Sequence, residues 1–182
     1  MGRLFTGIIL GMVLLPVLFV LYCLSGLFPA TAMDSPLPLE PAFAAMALHA
    51  AVSRGAPKTA PLQPTDDVML AGVRVYRQNC AVCHGVSGQA PTAIAKGMSP
   101  RPPALFEGHG VTDDLPGETF FKAKYGIRLT GMPGFRDSLS DDELWQVSLL
   151  LANADKMSPA VRQALTAPES EPPAQPGQPA HP

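Results

Sequence analysis

The hydropathy pattern opens with a run of 25 residues, Leu4 to Phe28, that contains no charge. As a helix it is long enough to cross a hydrocarbon core of about 30 Å. Arg3 and the terminal amine precede it, and Asp34 and Glu40 are the next charges after it. The positive-inside bias therefore places the N-terminus in the cytoplasm and the rest of the chain outside. The run reads as a retained N-terminal membrane helix within residues 1–32. Its rival is a signal segment cleaved after Ala32, since Ala30 and Ala32 offer small residues at a peptidase spacing. The apolar stretch nevertheless exceeds the roughly 7–15 residues of an ordinary signal core. Both readings export the remainder of the chain. Pro16 predicts a kink that a membrane helix tolerates. Cys23, preceded by the bulky Tyr22, reads as an inert thiol rather than a lipidation site.

Helical periodicity returns further along. In TDDVMLAGVRVYRQNC, Thr65 can cap a helix whose first turn carries Asp66 and Asp67, with Val68, Leu70, Val73 and Tyr76 on one broad apolar face. In LSDDELWQVSLLLAN, Ser140 and Glu143 form a capping box ahead of Leu144, Val147, Leu150 and Leu151. A third helix is expected over Glu118 to Tyr125. No run of alternating β-branched residues appears, and glycines and prolines divide the middle into turns. The fold class is therefore all-α, in one small domain over residues 65–166, with long loops and little core of its own.

Proline sets the boundaries. Residues 33–64 carry Pro36, Pro38, Pro41, Pro57, Pro61 and Pro64, a density that favours extended connection. Within this linker a short helix is expected over about 41–53, with Phe43, Met46 and Ala50 on one face, lying on the membrane surface or against the domain. His49 in it reads as a surface residue. Residues 167–182 include six prolines in sixteen positions and almost no large apolar side chain, which predicts a disordered tail.

Charge narrows the partners. A formal net charge of -2 and few aromatics supply no long basic face of the kind that nucleic acid requires.

The chemistry concentrates in NCAVCHG, Asn79 to Gly85, which holds two of the three cysteines. A structural zinc site needs four ligands, and beyond this motif only His109, His49 and His181 are on offer, with no second knuckle. A redox dithiol needs a helix that starts at its first thiol, whereas here a helix ends at the motif. Covalent haem attachment accounts for every position: Cys80 and Cys83 add across the two vinyl groups, and His84 becomes the proximal iron ligand. Export agrees, because that attachment takes place outside the cytoplasm. A sixth ligand then has to come from a loop, and Met132 in TGMPGF is favoured. Met98 competes, but it stands only fourteen residues after His84, a short path around the ring edge.

These residues resemble the single-haem class I c-type cytochromes. Gly72 and Tyr76, eight and four residues before Cys80, look like the glycine and aromatic of that family's first helix, which crosses a C-terminal helix bearing Leu144, Val147 and Leu150 here. GMPGF is similar to the sixth-ligand loop, and PPAL, Pro102 to Leu105, to the loop that supports the proximal histidine. The resemblance implies that the Pro103 carbonyl accepts the His84 Nδ1 proton and that Leu105 packs on the haem. It covers about 65–166. Arg101, read apart from the resemblance, is a candidate partner for a haem propionate. Trp145 falls beside the family's usual aromatic position, where it either lines the haem pocket or closes the core.

Together these readings describe a membrane-tethered carrier of single electrons with one haem c, in the periplasm at a bacterial inner membrane, serving respiratory-chain or dehydrogenase partners and not itself an enzyme. Two alternatives stay open: a fixed haem subunit of a larger membrane oxidoreductase complex, or a haem enzyme or ligand-binding protein if the sixth position is open. Lys122, Lys124, Arg128 and Arg136 occur with no acidic residue between Thr119 and Arg136. They are candidate docking charges for a redox partner, against the plainer reading of a solvated face.

Overall fold

The computed structural model describes residues 2–107 and 113–167. His109, His181 and nearly all of the 167–182 tail lie outside them. Every regular element among the described residues is a helix, and the chain divides into two compact units at Ala47/Leu48.

The first unit holds α1 (Gly2–Leu24), with Pro16 inside it and no buried residue. By length and composition α1 is able to cross a membrane. Beyond it, Asp34 Oδ2 accepts from the backbone N–H groups of Ala30 and Thr31 at 3.0 and 2.8 Å. These bonds hold the Asp34 carboxyl below its ordinary pKa. Helix α2 (Glu40–Gly55) starts here, where Leu39, Phe43 and Met46 are exposed.

The second unit is built on α3 (Asp66–Asn79) and α7 (Asp141–Ala152). Both start on side-chain caps. Thr65 Oγ1 accepts from Val68 N–H, and Ser140 and Glu143 form a complete capping box. The hydrogen bonds from Ser140 lower the Glu143 pKa. Met69, Val73, Val75 and Tyr76 of α3 pack with Val147, Leu150 and Leu151 of α7. Two buried residues complete this cluster, Val161 and Leu165, from α8 (Pro159–Thr166). The periodicity does not predict α8, although Ser158 caps it and Pro159 occupies its first turn. Its backbone is tied to α3 through Arg77 Nη1, which donates to the carbonyls of Ala164 and Ala167 at 3.0 and 2.7 Å.

The crossing of α3 over α7 depends on Gly72. A Cβ there would run into the Gln146 carbonyl oxygen and stand 3.1 Å from Leu150 Cβ. An α7 backbone oxygen cannot step aside as a flexible side chain can. Alanine gains about 1 kcal/mol of helix propensity over glycine, but overpacking costs about 1–3 kcal/mol, and a backbone clash belongs at the upper end. Gly72→Ala is therefore expected to lower the melting temperature by several degrees. An unchanged or raised value in a thermal melt would show that the helices do not cross this closely.

A second cluster brings Phe120 and Ala123 of α6 (Pro116–Tyr125) against Leu144 and Trp145. Ala60 and Leu62, both from the expected linker, pack on it. That linker thus does not run free up to residue 64, and Val52 and Ala56 are buried as well. The expected helix at 41–53 is present, with wider bounds, as α2.

Candidate functional site

Cys80 ends α3, with its N–H donating to Tyr76 O at 2.8 Å, and one further helical turn, α4 (Ala81–His84), succeeds it. In that turn Cys83 and His84 donate their N–H groups to Cys80 O at 3.1 and 2.9 Å. Residues three and four apart share a helical face, so both thiols and the imidazole come to one side. The turn is closed by Gly85, whose φ of 73° lies in the left-handed region that glycine adopts freely. Tyr76, fully buried, donates its hydroxyl to Gly85 O at 2.6 Å. Burial raises its pKa, so it stays a donor. From the other side, Thr92 Oγ1 donates to Val82 O at 2.7 Å. Thr92 also caps α5 (Ala93–Gly97), another short helix that the pattern does not disclose.

The His84 ring is oriented by Pro103, whose carbonyl oxygen lies 2.8 Å from Nδ1. A carbonyl can only accept, so Nδ1 carries the proton and Nε2 keeps a free lone pair. This is the tautomer that a metal needs. Beside His84 opens a cavity of about 360 Å³. Cys80, Cys83, Leu105 and Met132 are on its wall, and Pro103, Arg101 and Met98 line it as well.

Met132 is held by its own loop. Its N–H donates to Thr130 Oγ1 at 3.1 Å, and its carbonyl accepts from Ile127 N–H at 3.2 Å. The loop returns to α6, where Phe135 and Arg136 donate N–H groups to the carbonyls of Ala123 and Lys124 at 3.0 and 3.1 Å. That return leaves no room at Gly126 (φ 70°), where a Cβ would approach Gly134 N at 2.6 Å and Met132 O at 2.8 Å. Met98 reaches the same loop, its terminal methyl lying against Gly131. Both candidate thioethers therefore border one cavity, and lining alone does not choose between them.

Trp145 is not on the cavity wall. Its ring stacks on Phe120, with centroids 4.3 Å apart. It belongs to the core cluster with Phe120, Ala123 and Leu144. A cavity residue that sequence reasoning missed is Leu48, because the prolines around it mark its segment as linker.

The basic stretch is less cationic than it reads. Lys122 pairs with Asp114 at 2.6 Å, Lys124 with Asp141 at 2.6 Å, and Arg136 with Asp137 at 3.4 Å. Asp114, Asp137 and Asp141 all stand outside the span from Thr119 to Arg136, so the run of sequence conceals them. Arg128 and Arg101 have no ion-pair partner among the described residues.

The donor set can be tested against the possible occupants. Among the described residues no group of three or more His, Cys, Asp or Glu side chains is placed to hold a metal ion directly. The Cys80 thiol is pushed up to about 11, by burial first and the Cys83 charge second, the opposite of the lowered pKa that a redox dithiol uses. Two half-buried thiols on one turn, an imidazole with a free Nε2 and a largely apolar cavity ahead of a methionine loop do fit haem c.

Helices crossing at Gly72 around a Cys-x-x-Cys-His turn define a c-type cytochrome domain. The family model described as cytochrome c oxidase, cbb3-type, subunit III matches residues 67–149. A chain of the Kuenenia stuttgartiensis reducing HAO-like protein complex is similar at 26% identity and a TM-score of 0.45, over 57% of this chain and 53% of that one. This chain thus spans about half the length of that relative. No curated protein matches it. A cytochrome c domain implies covalently bound haem c, and proteins of this kind serve electron transfer.

Proposed function

We propose that this protein is a membrane-tethered, periplasmic c-type cytochrome that carries single electrons between redox partners at a bacterial inner membrane, through one haem c. The observation that carries the reading is the shared cavity of Cys80, Cys83, His84 and Met132, with His84 Nδ1 fixed on the Pro103 carbonyl. Cys80 and Cys83 would hold the haem by thioether bonds, and His84 Nε2 and the Met132 sulfur would bind its iron. The group supplies a one-electron couple between ferric and ferrous iron. The chain's own part is to keep ligand geometry unchanged between the two states. Pro103 fixes the imidazole plane, the Thr130 and Ile127 bonds fix Met132, and Leu105 excludes water. Arg101, on the cavity rim, would face a propionate. Helix α1 would be the anchor, so that partners in the same membrane are met by a local search. Membrane fractionation tests this last point: the full chain should pellet with membranes and be released by detergent but not by salt. Release by salt alone would remove the anchor from the account.

A second reading has a specific observation in its favour. The matching family model is named for an oxidase subunit, which suits a fixed haem subunit of a larger complex. Purification in mild detergent separates the two. Partners retained in constant proportion favour the subunit, and a lone chain that exchanges electrons favours the carrier.

For docking, paired Lys122 and Lys124 project little net field, so Arg128 becomes the better steering charge. Arg128→Glu is expected to slow electron transfer to the native partner several-fold at low ionic strength, with the gap narrowing as salt screens it. A rate unchanged at low salt would make this stretch ordinary solvated surface.

A further inference from the structure

The segment from Leu48 to Leu62 leads into the haem domain, and its prolines give it the composition of a spacer. Its packing is that of a seated arm. Val52 and Ala56 are 4% and 8% exposed. Gly55 lies so close to α6 that a Cβ would meet the Phe121 ring, and Gly117 lies so close to the arm that a Cβ would meet the Pro57 carbonyl. At Gly117 the missing side chain permits approach at backbone distance, and at Gly55 it makes room for the Phe121 ring. Ala60 and Leu62 complete the attachment on the Phe120–Trp145 cluster. Burying a valine fully contributes about 1.5 kcal/mol or more, and the prolines leave less conformational freedom to lose on seating.

The upper end of this arm is Leu48, half-buried and on the wall of the cavity that holds Cys80, His84 and Met132. We propose that Leu48 is a haem-shielding residue, supplied by the segment that precedes the cytochrome domain proper, and that it sets the redox potential by keeping water from the haem edge. The proposal rests on the haem reading above. Ferric haem carries one more positive charge than ferrous haem, so water at the edge favours the ferric state and lowers the potential, whereas an apolar wall raises it. The matched family segment starts at residue 67, so this wall is an addition outside it. Potential would thereby be linked to whether the arm is seated.

The test is redox titration of the full chain in detergent, comparing wild type with Leu48→Ser, Leu48→Met and Val52→Asp. Leu48→Ser should shift the midpoint potential downward while the melting temperature and the ferric sulfur-to-iron band remain. Leu48→Met, still apolar and flexible enough to cover the edge, should keep the wild-type potential. Val52→Asp, which unseats the arm without touching the cavity wall, should shift the potential in the same direction as Leu48→Ser. Met46→Ser, at a position 61% exposed, serves as the control and should shift nothing. A haem-bearing wild type whose potential is unchanged in both Leu48→Ser and Val52→Asp overturns this proposal alone. A wild-type chain without covalent haem overturns it together with the reading beneath it.

Discussion

Cys80→Ala combined with Cys83→Ala is expected to yield a chain that holds no covalent haem and is mostly unfolded and degraded. The physical reason is volume. The cavity of about 360 Å³ is walled largely by apolar side chains, which lose contacts and meet water when nothing fills it. Total stabilities run only about 5–15 kcal/mol, so the loss of that burial weighs heavily on a domain with this little core. Thioether bonds at Cys80 and Cys83 would keep the filling group in place, and anything bound only to the native state adds to its stability by mass action. Circular dichroism and protein yield check the result. A double variant that is helical, cooperative and abundant would mean that the helices build a sufficient core unaided.

Met132→Ala is expected to abolish the weak ferric band near the red end of the spectrum that reports a sulfur–iron bond, to open the iron to carbon monoxide, and to lower the potential. The last effect arises because methionine ligation favours ferrous iron. Met98→Ala should do none of these, since Met98 follows His84 by only fourteen residues, a short path around the ring edge. Spectra of the two variants, with and without carbon monoxide, decide the matter. The reverse pattern would transfer the ligand role to Met98. Carbon monoxide binding by the unaltered protein would instead favour a ligand-binding or enzymatic site.

Chemistry that is local along the chain was legible in the sequence. Thr65, the Ser140/Glu143 pair and the helical spacing behind them are readable because caps and periodicity act within four residues. The Cys80–His84 turn is readable for the same reason, and Gly72 stands out through its fixed distance from Cys80. Contacts between distant segments are not readable. Nothing near Lys122 or Lys124 announces Asp114 or Asp141, so a basic run conceals two ion pairs. The prolines at 57, 61 and 64 suggest a spacer, although proline stiffness suits a seated arm equally well, and only the glycines at 55 and 117 mark the close approach. Helix α8 does carry readable signals in Ser158, Pro159, Val161 and Leu165. They are overshadowed by the proline-rich stretch that starts at once after it.

The central claim is that Cys80 and Cys83 bind haem covalently while His84 and Met132 complete its iron. Acidified organic extraction of the purified wild-type protein tests it most directly, read as haem absorbance in the two phases and mass of the extracted chain. The account predicts that the haem stays with the denatured polypeptide, and that the chain is heavier by one haem with both thiols consumed. Haem recovered in the organic phase, or a chain mass with free Cys80 and Cys83, would contradict it.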